Sequence, residues 1–183
     1  MGDRTSKFLT KGLWTVIIIF ALRCLLFMPI TIHDCFGAAG EAITIAIVIM
    51  GLYNTFLWRY NPLEKMPRLI GEYNGYIEYN FSGETEKKEV NVVIKQTALS
   101  VKVKIVTNEI TSDTITSNLI EENGEYVLYY VYITNPKSKY SKNNPVQYGT
   151  CRLLKRNDTE LYGTYWTSRK TIGDVELKKI DKK

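Results

Sequence analysis

From Leu13 to Trp58 the chain carries only three charged side chains, Arg23, Asp34 and Glu41. A stretch that apolar cannot form the surface of a water-soluble fold. It divides into two runs, Leu13–Ile32, interrupted by Arg23 and Pro29, and Ala42–Trp58. At 1.5 Å of rise per residue the first covers about 30 Å, the thickness of a bilayer core. The segment between them is too short for more than a connection. The pattern predicts a transmembrane helical hairpin over residues 1–60, with spans at about 13–32 and 42–58.

Flanking cations set the orientation. Arg4, Lys7 and Lys11 precede the first run and Arg59, Lys65 and Arg68 follow the second, while the connection has neither Lys nor Arg. The positive-inside rule then puts both termini and everything after the hairpin in the cytoplasm. Trp14, Tyr53, Trp58 and Tyr60 make an aromatic belt on that side. A cleaved signal peptide is the competing reading; the length of the first run, the lack of a prompt small-x-small site and the second run argue against it. The opening Met-Gly-Asp-Arg-Thr-Ser fits a loose myristoylation pattern, which two spans make redundant.

Arg23 falls near the middle of its predicted span, where insertion scales charge about 2.5–3.5 kcal/mol. Glu41, at the outer end of the second span, is a poor intrachain partner by depth. Arg23 therefore either faces a helix–helix contact or a watery pore in a membrane assembly, or snorkels to the interface with local water. Cys24 and Cys35 lie in or beside the membrane and Cys151 on the cytoplasmic side, so no disulfide is expected.

Asn61–Pro62 and Met66–Pro67 end the helical part, and residues 61–68 read as a linker. Residues 69–183 alternate with period two between turn signals. Strands are predicted at about 69–81, 87–96, 99–107, 110–121, 125–134, 146–155, 160–168 and 171–180. Turns are marked by Ser82–Gly83, Asn108–Glu109, Asn123–Gly124 and Asn157–Asp158, with a longer loop from Asn135 to Pro145; the turns after Ala98 and near Arg169–Lys170 are poorly marked. Val90, Val92 and Ile94 alternate with Glu89, Asn91 and Lys95, and Val101, Val103 and Ile105 alternate with Lys102 and Lys104. Eight short sequential strands predict an up-and-down antiparallel β-barrel, wide enough inside for side chains or one small ligand. Gly71, Gly75, Gly149 and Gly163 within strands suggest sharp coiling or room for a ligand.

A single His leaves no histidine-based catalytic or metal cluster. No nucleophile elbow, phosphate-binding loop, dinucleotide fingerprint or zinc spacing is present, and the carboxylates are scattered on outer faces, so no enzyme and no cofactor is expected. One segment stands out: Tyr165-Trp166-Thr167-Ser168-Arg169-Lys170-Thr171. Alternation from Leu161 and Gly163 turns Tyr165 and Thr167 inward and brings Arg169 and Thr171 to the rim. Two hydroxyls, a guanidinium and an aromatic ring at one mouth suit a phosphate and a stacked base; a hairpin with merely solvated Arg and Thr is the plain alternative. Lys137, Lys139, Tyr140 and Lys142 make either a basic lid or a soluble loop tip.

Two spans followed by this all-β domain resemble a particular family. The most specific features are Gly71-x-Tyr73-x-Gly75, Gly149-Thr150-Cys151-Arg152-Leu153 and Leu161-x-Gly163-x-Tyr165-x-Thr167-x-Arg169-x-Thr171-x-Gly173. The chain is similar to the two-transmembrane membrane effectors of bacterial cyclic-oligonucleotide-based anti-phage signalling (CBASS), whose C-terminal part is a minimal β-barrel receptor for a cyclic dinucleotide. The resemblance implies that a partner nucleotidyltransferase makes the messenger on infection. Binding in the barrel then drives homo-oligomerisation of the membrane segments, disruption of the inner membrane and abortive infection, with membrane lipids as further partners and no direct contact to DNA or RNA. Residues 59–183 hold 20 basic and 16 acidic side chains, a net charge of +4 that favours a dianionic ligand.

Phosphate recognition falls to Arg169, with Thr167 and Thr171 as hydroxyl donors. Tyr73, Tyr76 and Tyr165 are the stacking candidates. Tyr76 has outward parity and reaches the interior only if the first strand bulges near Gly75. Arg152 is a weaker candidate because its parity also points outward. Two readings from other classes remain: a membrane-tethered lipocalin-like carrier, with an interior lined only by apolar and aromatic groups, and a protein-binding scaffold, with a filled barrel and no cavity.

Overall fold

The computed structural model describes residues 3–28, 31–81, 84–142 and 144–180. Pro29 and the Ser82–Gly83 turn lie outside the described residues. The chain divides into two compact units, Met1–Lys65 with Thr97–Leu99, and Met66–Gln96 with Ser100–Lys183.

The first unit is built on two helices, α1 (Asp3–Phe27) and α2 (Ile32–Thr55), followed by a single 3-10 turn at Leu57–Tyr60. Both helices are long and apolar enough to cross a membrane, and Leu13, Ile18, Leu25, Ile47 and Val48 are exposed on them. Ala38, Ala42 and Ala46, one turn apart, are the buried residues of α2; small side chains there let two helix backbones approach closely. At the open end of the hairpin Glu64 Oε2 accepts hydrogen bonds from Lys11 Nζ of α1 and Tyr53 Oη of α2, both at 3.0 Å.

The helix boundaries differ from those read in the sequence, and with them the surroundings of Arg23. Thr31 caps α2: its hydroxyl accepts from the Asp34 N–H, and the Asp34 carboxylate accepts from the Thr31 N–H. This reciprocal box fixes the helix start at Ile32, ten residues before the predicted span. The two helices are therefore joined between Met28 and Thr31, not through the expected connection at His33–Gly37. Arg23 then lies one turn from the end of α1 and Glu41 inside α2, and Arg23 Nε donates to Glu41 Oε2 at 2.7 Å. The expected mismatch in depth does not exist. The guanidinium also stands 4.2 Å from the centre of the Phe27 ring.

The second unit is a closed barrel of eight antiparallel strands in sequence order, β1 (Gly71–Phe81), β2 (Glu84–Gln96), β3 (Val101–Val106), β4 (Ile110–Glu122), β5 (Glu125–Pro136), β6 (Gln147–Lys155), β7 (Glu160–Thr167) and β8 (Ile172–Lys179), with β1 pairing to β8. Every strand lies within three residues of its predicted bounds. The poorly marked β7–β8 turn is a four-residue loop, residues 168–171, whose third member, Lys170, has φ +62°. That left-handed position normally takes Gly or Asn, so the sequence carries no turn signal there.

Closure brings backbones together most closely at two glycines, Gly163 and Gly75. A Cβ on Gly163 would meet the Arg152 carbonyl, and one on Gly75 the Glu176 carbonyl. These glycines coil the sheet. Gly149 does something else, its missing side chain accommodating the ring of Tyr132, while Gly173 does both, lying against the Glu78 carbonyl and the ring of Tyr165. Between β3 and β4 the backbone ladder covers three residue pairs and then gives way at a bulge at Thr114/Thr116. Beyond it hydroxyls take over: Thr114 Oγ1 accepts from Val103 N (2.9 Å) and donates to Val103 O (2.8 Å), and Ser117 bonds Val101 in the same way.

One end of the barrel is packed solid. Val90, Val92, Ile94, Val101, Val103, Leu119, Leu128, Leu153 and Leu177 are all at most 3% exposed. The incoming segment seals that end, with Leu69 N donating to Gln96 Oε1 at 2.7 Å and Gln96 Nε2 to the Pro67 carbonyl at 2.9 Å. Gly163→Ala is expected to cost about 1–3 kcal/mol of stability, the range for forcing an extra methyl into a packed site, whereas Thr164→Ala on the exposed face should change it by less than about 0.5 kcal/mol. Thermal unfolding of the two variants checks this.

Candidate ligand-binding site

At the other end of the barrel the interior opens into a cavity of about 680 Å³, within the range of small-molecule sites. It lies opposite the end where the chain enters β1, under the turns β3–β4, β5–β6 and β7–β8. Inward-facing residues on successive strands stack in rows set by the register. A floor row runs Tyr130–Cys151–Tyr165–Gly173–Tyr79, from β5 through β6, β7 and β8 to β1, with the partners Ile77 and Val175 just below it. Above it Tyr132, Gly149 and Thr167 are register partners, and above these Ser112, Thr134 and Gln147. The lining thus passes from tyrosine at the floor to hydroxyl and amide near the mouth.

Among the described residues of the barrel, two buried side-chain oxygens have no hydrogen-bond partner within the protein, Ser112 Oγ and Thr167 Oγ1, and both line the cavity. A buried unsatisfied hydroxyl costs about 1–3 kcal/mol, so these two are set for a polar ligand. Arg169, exposed at the rim, and Thr171 line the same space. The turn holding them is closed by Thr167 N donating to the Thr171 carbonyl and Lys170 N to the Thr167 carbonyl, each at 3.0 Å. Across the mouth Glu109 Oε2 accepts from Lys88 Nζ (2.7 Å) and Asn144 Nδ2 (2.9 Å), tying the β5–β6 loop to the β3–β4 turn.

Of the candidates read from the sequence, the fold brings Tyr165, Thr167, Arg169 and Thr171 together in this cavity and leaves Tyr73, Tyr76 and Arg152 outside it. Tyr73 faces inward but belongs to the packed end, 2% exposed, its hydroxyl donating to the Leu69 carbonyl at 2.8 Å. Parity along β1 gives the face and not the height. Tyr76 faces outward under Lys87, because β1 pairs with β2 in unbroken register and the bulge near Gly75 that it would need is absent. Arg152 also faces outward, with Nε donating to Tyr129 Oη at 3.0 Å and a guanidinium nitrogen 3.4 Å from Glu122 Oε2. Lys137, Lys139 and Lys142 are exposed on the β5–β6 loop and do not line the cavity. Sequence reasoning missed Tyr130, Tyr132 and Thr134, which Leu128-x-Tyr130-x-Tyr132-x-Thr134 would have revealed as an apolar-to-polar gradient along one inward face. It also missed Ser112 and Gln147, which the register alone identifies.

Burial keeps the floor neutral. It pushes the Cys151 thiol up to about 12 and Tyr130, Tyr132 and Tyr165 further above their ordinary values, with Cys151 adding to the shift of each tyrosine. Burial, followed by a hydrogen bond to Glu86, raises Tyr79 to about 12. All five groups are acids that the fold holds protonated. Their contribution to stability is complete below the ordinary thiol value near 9 and is lost as pH rises toward 12 and beyond. The melting temperature of the protein should therefore show no loss from these groups between about pH 7 and pH 8 and fall progressively above about pH 9.

Comparison with known proteins follows the same division of the chain. Residues 64–179 match the family model of the Cap15 cyclic dinucleotide receptor domain. A protein of Staphylococcus schleiferi, CD-NTase-associated protein 15, is 36% identical over 183 aligned residues, covering 98% of this chain and all of the relative. Two apolar helices leading into a closed eight-stranded barrel with a cavity at one end, together with these matches, place the chain in the Cap15 family of CBASS effectors, with its barrel as the cyclic dinucleotide receptor domain.

Proposed function

We propose that a cyclic dinucleotide seats its phosphate on Arg169, Thr167 and Thr171 at the open end of the barrel, with Tyr165 below it. Binding drives the chains to assemble through their helical hairpins, and the assembly disrupts the inner membrane and ends infection by killing the cell. The messenger comes from a partner nucleotidyltransferase. The chain acts by binding and assembly, without catalysis; in keeping with that, Cys151, the one thiol lining the cavity, is held protonated by burial. Both termini and the barrel lie in the cytoplasm in this account, on the side where Arg4, Lys7, Lys11, Arg59, Lys65 and Arg68 flank the hairpin.

The observation that carries the reading is the unpartnered Thr167 hydroxyl in a cavity that Arg169 and Thr171 also line. A guanidinium and hydroxyls converging on one point make charge-assisted hydrogen bonds to phosphate. The rival readings fare worse against the interior. A filled scaffold barrel has no place for a cavity of about 680 Å³, and an apolar carrier has no use for Ser112, Thr134, Gln147 and Thr167 in its lining.

Two experiments test this. Full-length protein in detergent, titrated with cyclic dinucleotides, should gain about 2.7 kcal/mol at a ligand concentration of 100 times Kd, seen as a rise in Tm. Arg169→Ala should weaken the best ligand by about tenfold or more, the value of a charge-assisted hydrogen bond, with the unliganded Tm unchanged; wild-type affinity in this variant would sink the assignment. In the membrane part, Arg23→Glu should abolish killing while sparing ligand binding, and the exchange Arg23→Glu with Glu41→Arg should restore it. Full killing by the single variant would deny Arg23 a role in assembly.

A further inference from the structure

The cavity has two polar walls of different character. On β7 and in the turn to β8, Thr167, Arg169 and Thr171 present a cation and hydroxyls. On β4, β5 and β6 the register sets Ser112 opposite Thr134 and Thr134 opposite Gln147, and all three line the cavity. Ser112 is 4% exposed and its hydroxyl has no partner within the protein. Thr134 is held between its neighbours, its Oγ1 accepting from Gln147 N at 3.1 Å. The Gln147 side chain makes no hydrogen bond among the described residues and offers an N–H₂ donor and a carbonyl acceptor on one planar group.

This second wall is built for a neutral ligand group. Ser112, Thr134 and Gln147 are all neutral. Arg169 stands at the β6–β7 edge of the row, where Ser168 N donates to the Tyr148 carbonyl at 2.8 Å and so brings residue 169 beside Gln147. On the β3–β4 side the Glu109 carboxylate is already engaged by Lys88 and Asn144. A phosphate gains little at the Ser112 end, away from Arg169. An edge that itself carries donors and acceptors gains several hydrogen bonds, and that is the chemistry of a nucleobase. Tyr132, two residues from Thr134 on β5 and packed over Gly149, supplies an aromatic ring beside the row.

We propose that Ser112 and Gln147, with Thr134 between them, form a base-reading subsite that determines which nucleobase of a cyclic dinucleotide the barrel accepts. This rests on the reading of the cavity as the cyclic dinucleotide site, and it assigns phosphate and base to neighbouring stretches of one interior. Gln147 is the specificity-determining residue of the pair, because its amide can pair two positions of a base edge at once.

The test is a set of dissociation constants for full-length protein in detergent, with cyclic dinucleotides covering every pairing of adenine, guanine, cytosine and uracil. Gln147→Glu keeps the size of the side chain and replaces its donor by an acceptor. It should cost the tightest wild-type ligand about tenfold or more relative to at least one other member of the set, changing the ranking. Ser112→Ala should weaken the tightest ligand more than the rest. Should Ser112→Ala fail to fold, the partly exposed Gln147→Glu decides alone. A wild type that binds every member equally, or variants that keep its ratios of Kd, overturns the base-reading subsite and leaves the receptor reading standing. A wild type that binds no member overturns both.

Discussion

Closing eight strands on themselves leaves an interior only a side chain or two across, and the whole molecule depends on how that narrow space is divided. Gly75 and Gly163 allow the closure by letting backbones approach where a methyl would collide with a carbonyl. Once the sheet is closed, each inward residue has a height as well as a face. Valine and leucine fill the end where the chain enters. Tyrosine forms a floor halfway up, and hydroxyl and amide groups occupy the rest. The packed half supplies the stability that lets the other half remain open.

The open half concentrates polar chemistry where water is scarce. Hydrogen bonds in such a setting are stronger than in water, and an unmade one is costly. Ser112 and Thr167 stand in that condition, so a ligand that satisfies them is bound by groups fixed before it arrives. The tyrosine floor is neutral through the physiological range, as any tyrosine is, and burial extends that neutrality into the alkaline range. The cation that lines this half from the turn between β7 and β8, Arg169, stands exposed at the rim.

The alternation of valine with lysine and glutamate made the strands and their faces legible before any coordinates, and the cluster Tyr165, Thr167, Arg169 and Thr171 was legible for the same reason, since all four lie on one hairpin. What parity along a strand cannot supply is height in the barrel. Tyr73 and Tyr165 have the same inward sense, yet one sits in the packed end and the other in the cavity floor. Ser112, Thr134 and Gln147 come from three strands and meet only through cross-strand register, which no local pattern encodes. In the helical unit the Thr31–Asp34 capping box was present in the sequence, but the polar break at His33–Asp34 read as the connection between the spans. A helix start displaced by ten residues was enough to separate Arg23 from Glu41 on paper while they pair in the fold.

The central claim is that the open end of the barrel, and no other surface, holds the cyclic dinucleotide. Hydrogen–deuterium exchange of the full-length protein, with and without its tightest cyclic dinucleotide, tests it most directly. The account predicts slower exchange in the Thr167–Thr171 turn and in the upper parts of β5 and β6, with no change around Tyr73 and Leu69. Protection centred on the outer face near Tyr76 or Arg152, with the Thr167–Thr171 turn unchanged, would contradict it.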